Sequence, residues 1–250
     1  MALLELDGLS KSFGGVTAVD DASFAVEPGE ILGLAGPNGA GKTVTFNLVT
    51  GRLTPDAGRV RFDGEDITGA RPDAVADAGI GRTFQQVRVY DELSVRENLL
   101  FAAQDKGVGA TVRAAAGAAG GAESDPEAVA EPPETVELAG LADAPASALS
   151  YGQRKLLSFA AALLTHPEPE LIMLDEPMAG VNPALADRLV EYVREFRAAG
   201  KTFLLVEHDV RLMSELCDRL VVMDAGRPIA SGPPAEVRTD DRVVEAYFGS

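Results

Sequence analysis

Residues 36–43 read GPNGAGKT, entered from the apolar run ILGLA (31–35) and left through VTFNLVTG (44–51). The spacing G-x-x-x-x-G-K-[ST] between a predicted strand and a predicted helix is the arrangement that cradles phosphate. The glycines let successive N–H groups converge on phosphate oxygens, and the helix start adds positive potential. In such a loop Lys42 reaches the β- and γ-phosphates and Thr43 holds Mg²⁺. A glycine-rich turn with an incidental lysine would not need a buried strand on one side and a helix on the other. The stretch therefore predicts an α/β protein that binds its ligand at the C-terminal ends of its strands.

Other strand ends carry matching chemistry. LIMLDE (171–176) closes an apolar strand on two carboxylates: Asp175 is placed to hold Mg²⁺ through water, and Glu176 to polarise an attacking water. LLVEHDV (204–210) ends another strand on Glu-His-Asp, where His208 can donate to a γ-phosphate; taken alone, a satisfied structural histidine is the better reading. His166, in THPEPE, sits in an ordinary turn. GRTFQQVRVY (81–90) offers Gln85 and Gln86, one of which can touch Mg²⁺ and water, and the residues alone do not choose between them. LSYGQRK (149–155) places Ser150 and Gly152 at the mouth of an apolar helix with Tyr151 between them. By itself that is either a capped surface turn or a working face.

Composition limits the alternatives. The chain has 250 residues, enough for a substantial core, and 46% of them are hydrophobic. No apolar run approaches the roughly 18 residues of a membrane helix. MALLELDGLSKSF lacks the charged and apolar regions of a secretory signal, and one cysteine, Cys217, excludes an intrachain disulfide framework and in MSELCDRLVV (213–222) reads as a small buried hydrophobe. Both suit a reducing cytoplasm. The net charge of −17 disfavours a nucleic-acid partner, because a phosphate backbone wants a basic surface. It also raises the hypothesis of a salt-rich cytoplasm, where screening removes the cost of self-repulsion.

Along the chain, LLELD (3–7) predicts a short edge strand and VTAVDDASFAV (16–26) a second strand. RVRFDGEDI (59–67) predicts a hairpin turning at Asp63-Gly64, and 72–78 a short helix. LSVRENLLFAA (93–103) predicts a helix whose Ser94 and Glu97 form a capping box. ETVELAGLADAP (134–145) predicts another short helix. From 151 onward helices and strands alternate, ending in the amphipathic DRVVEAYF (241–248). On the helix over 184–200, Leu185, Leu189, Val193 and Phe196 share a stripe, with Gly200 as its cap. Residues 105–134, rich in Gly, Ala and acids, predict a mobile or loosely helical excursion.

Together these stretches resemble the ATP-binding cassette (ABC) ATPase family, in particular the ATPases of branched-chain amino acid importers. The resemblance covers almost the whole chain. GPNGAGKT resembles the phosphate loop, LSYGQ the family signature, LIMLDEP the magnesium and base strand, AGVNP (179–183) the dimer-interface loop and His208 the switch histidine. It selects Gln85 as the lid-loop glutamine and, through KSFGG (11–15), Phe13 as the aromatic that stacks on adenine. The implied nucleotide contacts are Phe13, Pro37, Asn38, Gly39, Ala40, Gly41, Lys42, Thr43, Val44, Ser150, Gly152 and Gln153. Thr43, Gln85 and Asp175 are the implied Mg²⁺ residues, and Glu176, His208, Lys42 and Gln85 the implied catalytic ones. Val44 departs from the pattern, standing where the family usually has a second hydroxyl.

The resemblance implies a P-loop NTPase core with a mostly parallel sheet flanked by helices, an antiparallel β subdomain and an inserted α-helical subdomain. One domain over 1–250 is expected, with the core and β subdomain from 1–90 and 165–250 and the helical subdomain from 91–164. ATP and Mg²⁺ are the implied cofactors. The implied partners are a second ATPase subunit, the same or a paralogue, two integral-membrane permease subunits and an extracytoplasmic solute-binding protein. The chain would then be cytoplasmic and peripheral on the inner face of the membrane. Urea-importer and lipopolysaccharide-extracting ATPases share parts of the subgroup pattern. A non-transport ATPase or a nucleotide-binding regulator would be separated from these by partner identity and by ATP turnover.

Overall fold

The computed structural model describes residues 1–83, 89–103, 138–165, 167–207 and 209–248. Gln85, Gln86, His166, His208 and the excursion expected over 105–134 lie outside the described residues.

A six-stranded sheet carries the site. Its strands are β3 (Ile31–Ala35), β6 (Ile80–Arg82), β7 (Leu171–Asp175), β8 (Thr202–Val206), β9 (Arg219–Asp224) and β10 (Arg227–Gly232), in the order β10-β9-β3-β8-β7-β6. All pairs are parallel except β10 with β9. Strands β3, β7 and β8 are buried at every position, as expected of parallel strands covered on both faces. Alternation divides them between two cores. Ile172, Leu174, Phe203 and Leu205 pack with the apolar faces of α4 (Tyr151–Leu163) and α5 (Pro183–Ala198). Leu171, Met173, Leu204 and Val206 pack on the other side with Phe46 of α1 (Lys42–Val49).

That second core is closed by an antiparallel sheet of β1 (Leu4–Phe13), β2 (Val16–Val26), β4 (Ala57–Phe62) and β5 (Glu65–Asp66), in the order β2-β1-β4-β5. Here the expectation of a short edge strand over 3–7 is corrected. Strand β1 has ten residues and is internal, with Leu4 paired to both Val26 and Phe62. The alternation is interrupted at Gly8, whose φ is +63°, and the pairing resumes beyond that irregularity. The β4–β5 hairpin turns at Asp63-Gly64, both at positive φ, as a two-residue type I′ turn requires.

Helix α2 (Pro72–Asp77) leads into β6, and α3 (Val95–Ala103) packs on α4 in a helical insert between β6 and β7. The Ser94–Glu97 box is present, with Ser94 N donating to Glu97 Oε2 at 2.7 Å and Glu97 N to Ser94 Oγ at 3.1 Å. The described part of the helix predicted over 134–145 is instead a single 3-10 turn, Ala139–Leu141. The chain closes through α6 (Val210–Leu216), α7 (Pro234–Val237) and α8 (Asp241–Phe248). Because β3, β8 and β7 are neighbours, the loops after residues 35, 206 and 175 leave the same end of the sheet.

Candidate nucleotide-binding site

The loop between β3 and α1 bounds a cavity of about 200 Å³. Asn38, Gly39, Ala40, Gly41, Lys42, Thr43 and Val44 line it, with Glu176 from the end of β7 and Ala18 from β2. Backbone geometry explains two of the glycines. Gly41 starts α1 at φ +98°, and a Cβ there would stand 2.4 Å from the Ala18 carbonyl oxygen. Gly36 has φ +139°, and a Cβ would meet the Met223 carbonyl at 2.2 Å. Gly39 differs: nothing lies within 4 Å of its Cβ position, so the loop presents bare backbone to the cavity there.

Lys42 is 6% exposed and folds over the loop, its Nζ donating to the carbonyls of Gly36 at 2.6 Å and Pro37 at 2.9 Å. Burial pushes its ammonium below the usual lysine range, and the Glu176 carboxylate partly offsets this. An ammonium so placed gains from an anion entering the cavity. Glu176 itself has φ +50°, a left-handed conformation rare for a residue with a side chain.

Asp175 is 3% exposed. Its Oδ2 accepts from Arg82 Nη2 at 2.8 Å, and Arg82 Nη1 donates to Asn47 Oδ1 on α1 at 2.9 Å and to Oγ1 of Thr50, the C-cap of α1, at 2.8 Å. Asp175 Oδ1 is buried without a hydrogen-bond partner among the described residues. A cavity of about 20 Å³, room for about one water, lies beside Asp175, Thr83 and Lys155. Among the described residues no cluster of three His, Cys, Asp or Glu side chains could hold a metal. A hydroxyl, one carboxylate oxygen and phosphate oxygens are the donor set that suits Mg²⁺, which rarely takes an all-protein cage.

The signature residues stand elsewhere. Ser150, Gly152 and Gln153 line a separate groove of about 720 Å³ with Tyr151, Gly180 and Asn182, and none of them borders the phosphate-loop cavity. Ser150 caps α4, its Oγ accepting from Gln153 N at 3.3 Å while Gln153 Oε1 accepts from Ser150 N at 2.9 Å. The Tyr151 ring lies against Gly180, with Cε1 3.3 Å from that residue's Cβ position. Phe13, 45% exposed at the end of β1, also stands outside the cavity, with Lys11 Nζ 5.6 Å from its ring centre.

Four residues around the site were not singled out from sequence: Arg82, Lys155, Glu207 and Tyr247. Lys155 donates to the carbonyls of Glu176 and Pro177, Glu207 accepts from Met178 N, and Tyr247 Oη accepts from Gly36 N at 2.8 Å. Glu207 adjoins His208 in the quoted EHD, and Arg82 precedes TFQQ, but a charged residue beside a motif does not declare its burial.

The description "ABC transporter" matches residues 19–179, and "Branched-chain amino acid ATP-binding cassette transporter" matches residues 227–250. The chain is 38% identical over 252 residues to the high-affinity branched-chain amino acid transport ATP-binding protein BraF of Pseudomonas aeruginosa, covering 99% of this chain and 98% of that one. It is 37% identical over 251 residues to LivG of Escherichia coli, with the same coverage. Among solved structures, the ADP conformation of an ATP-binding cassette of an ABC transporter aligns over 100% of both chains with a TM-score of 0.84 and 36% identity. A nucleotide-free cassette aligns as fully, with a TM-score of 0.85 and 35% identity. Matched over nearly its full length by named relatives and by solved cassettes alike, the chain belongs to the ABC transporter family of ATPase subunits.

Proposed function

We propose that the chain hydrolyses ATP to power import of branched-chain amino acids through separate permease subunits. The match of residues 227–250 to the branched-chain amino acid cassette description carries the substrate class. The named relatives BraF and LivG, similar along their whole length, support it. Among the described residues no helix is long and apolar enough to cross a membrane, and in this reading other chains form the permeation path. We place the subunit on the cytoplasmic face, beside two permeases and an extracytoplasmic binding protein. Domain limits of 1–90 with 165–250 for the core, and 91–164 for the helical part, belong to the same reading.

The phosphate-loop amides from Asn38 to Thr43 and the Lys42 ammonium bind the β- and γ-phosphates and stabilise the charge that develops on them. Thr43 and Asp175 would hold Mg²⁺, with Gln85 as a third contributor; bound there, the ion neutralises charge on the β- and γ-oxygens. Glu176 orients a water for in-line attack and accepts its proton as the bond to the ADP oxygen breaks. Phe13 stacks on adenine, and His208 donates to the γ-phosphate. The separation of the Ser150–Gln153 groove from the phosphate-loop cavity favours a head-to-tail pair in which each signature closes the other subunit's nucleotide.

Glu176→Gln tests the chemistry: ATP binding should persist while turnover falls at least 100-fold. Robust hydrolysis by that variant would refute the base. The transport reading is tested by co-expressing the chain with its permeases and binding protein in vesicles. ATP-dependent uptake of leucine, isoleucine or valine, lost in the Glu176→Gln complex, is expected. Uptake of urea in place of these amino acids overturns the substrate class and leaves the ATPase standing.

A further inference from the structure

Two buried charged side chains that the hydrolytic scheme does not use converge on the base segment. Lys155, 7% exposed on α4, donates from Nζ to the Glu176 carbonyl at 2.8 Å and the Pro177 carbonyl at 3.1 Å. Glu207, 5% exposed at the end of β8, accepts from Met178 N through Oε1 at 2.7 Å. Glu176 N donates to Val206 O at 2.9 Å. The residue proposed as base is thus held at its N–H by β8 and at its carbonyl by α4, and its own φ is +50°. A side chain in that backbone region persists where its surroundings impose it.

We propose that Lys155, aided by Glu207, is a positioning residue that fixes Glu176 for attack on ATP and couples that alignment to the signature helix. Lys155 lies on the helix that Ser150 caps, so a displacement of the signature end of α4 is delivered to the Glu176 carbonyl. Glu207 makes the corresponding link to β8, directly before His208. The inference rests on Glu176 being the base. Burial pushes the Lys155 ammonium below the usual range, opposed by the Glu207 and Glu176 carboxylates that face it. The cation is therefore set among the groups it orients.

Steady-state ATPase assays of the purified chain decide the matter. Lys155→Met should lower kcat about 10- to 100-fold, with KM for ATP within about twofold, because misplacing a catalytic group by an ångström has that scale of effect. Lys155→Arg, which keeps a donor to both carbonyls, should recover most of the rate. In a Glu176→Gln background Lys155→Met should cost no more than about a further twofold. If Lys155→Met does not fold, the Glu207 pair decides: Glu207→Gln keeps an acceptor for Met178 N and should stay within about threefold, whereas Glu207→Ala should fall about tenfold. A near-normal kcat in Lys155→Met, a loss confined to KM, a multiplicative loss beside Glu176→Gln, or equal rates in the two Glu207 variants overturns the proposal. Full turnover by Glu176→Gln alone removes the base assignment instead, and this role falls with it.

Discussion

The Arg82 guanidinium spans Asn47 on α1, Thr50 at its C-cap and Asp175 on β7, with Cζ 5.5 Å from the Phe46 ring centre. Arg82→Met leaves a buried carboxylate without its counter-ion, a loss of about 3–5 kcal/mol. Urea unfolding should show it as a lower midpoint at unchanged slope. Arg82→Lys should recover only part, since an ammonium cannot reproduce a planar fork on three acceptors; full recovery by lysine would make the fork irrelevant. Cys217 allows a second prediction. Burial foremost, then the Asp218 and Glu30 carboxylates, pushes its thiol from 9.0 up to about 12. The folded protein should therefore resist alkylation at pH 8 and react only after denaturation. Since the folded pKa is the higher one, this contribution to stability is complete below about pH 9 and is lost as the pH rises towards 12. Rapid labelling of the native chain at pH 8 contradicts that placement. Cys217 as a small buried hydrophobe was legible in MSELCDRLVV, because its apolar neighbours are local. Arg82 was not, because its partners come from residues 47, 50 and 175.

At the scale of elements, two glycines separate packing from chemistry. Gly33 sits inside β3, where an added Cβ would stand 2.5 Å from Met213 Cε, 2.6 Å from Leu220 Cδ2 and 2.8 Å from Cys217 Sγ. Gly33→Ala therefore overpacks α6 against the sheet and should cost about 1–3 kcal/mol in urea unfolding. Gly152 in the first turn of α4 meets only the Leu185 side chain, with Cδ2 at 2.5 Å. A rotamer change in Leu185 relieves that contact, so Gly152→Ala should cost less than about 1 kcal/mol. Its ATPase rate should nonetheless fall at least tenfold, because in the proposed head-to-tail pair a methyl group would stand where backbone is to approach the partner's nucleotide. Unimpaired turnover would reduce Gly152 to a packing residue. Helices with local caps, such as those opened by Ser94 and Ser150, were legible because hydroxyl and Glu or Gln lie three residues apart. Strand β6 was not, since three residues set no period and only its pairing with β7 defines it. The reach of β1 was hidden for a related reason: its pairing survives an irregularity near Gly8 that breaks the alternation.

At the scale of the molecule, the phosphate loop is braced from both ends of the chain. The Ala18 carbonyl of β2 occupies the space a Cβ at Gly41 would need, Gly226 N donates to Ala40 O at 3.2 Å, and Tyr247 of α8 accepts from Gly36 N at 2.8 Å. DRVVEAYF was legible as a small amphipathic helix, but its contact with a loop 211 residues away has no local signal. The phosphate loop itself was legible because its whole mechanism lies in eight consecutive residues. The C-terminal brace falls within the stretch that matches the branched-chain amino acid cassettes, so that segment reaches the loop proposed to bind nucleotide. Burial pushes the Tyr247 hydroxyl above the ordinary tyrosine range, with the Gly36 hydrogen bond opposing, so the group stays protonated across physiological pH. Tyr247→Phe keeps the ring and removes the acceptor, leaving the Gly36 N–H without that bond at the first residue of the loop. Such a loss costs about 1–2 kcal/mol. Since Gly36 also supplies a carbonyl to Lys42, the loop proposed to bind phosphate should loosen, while Glu176, held through α4 and β8, should not. The expected result is a rise of about 3- to 10-fold in KM for ATP with kcat within twofold. An unchanged KM would detach α8 from nucleotide binding, and a fall confined to kcat would place its influence on the base instead.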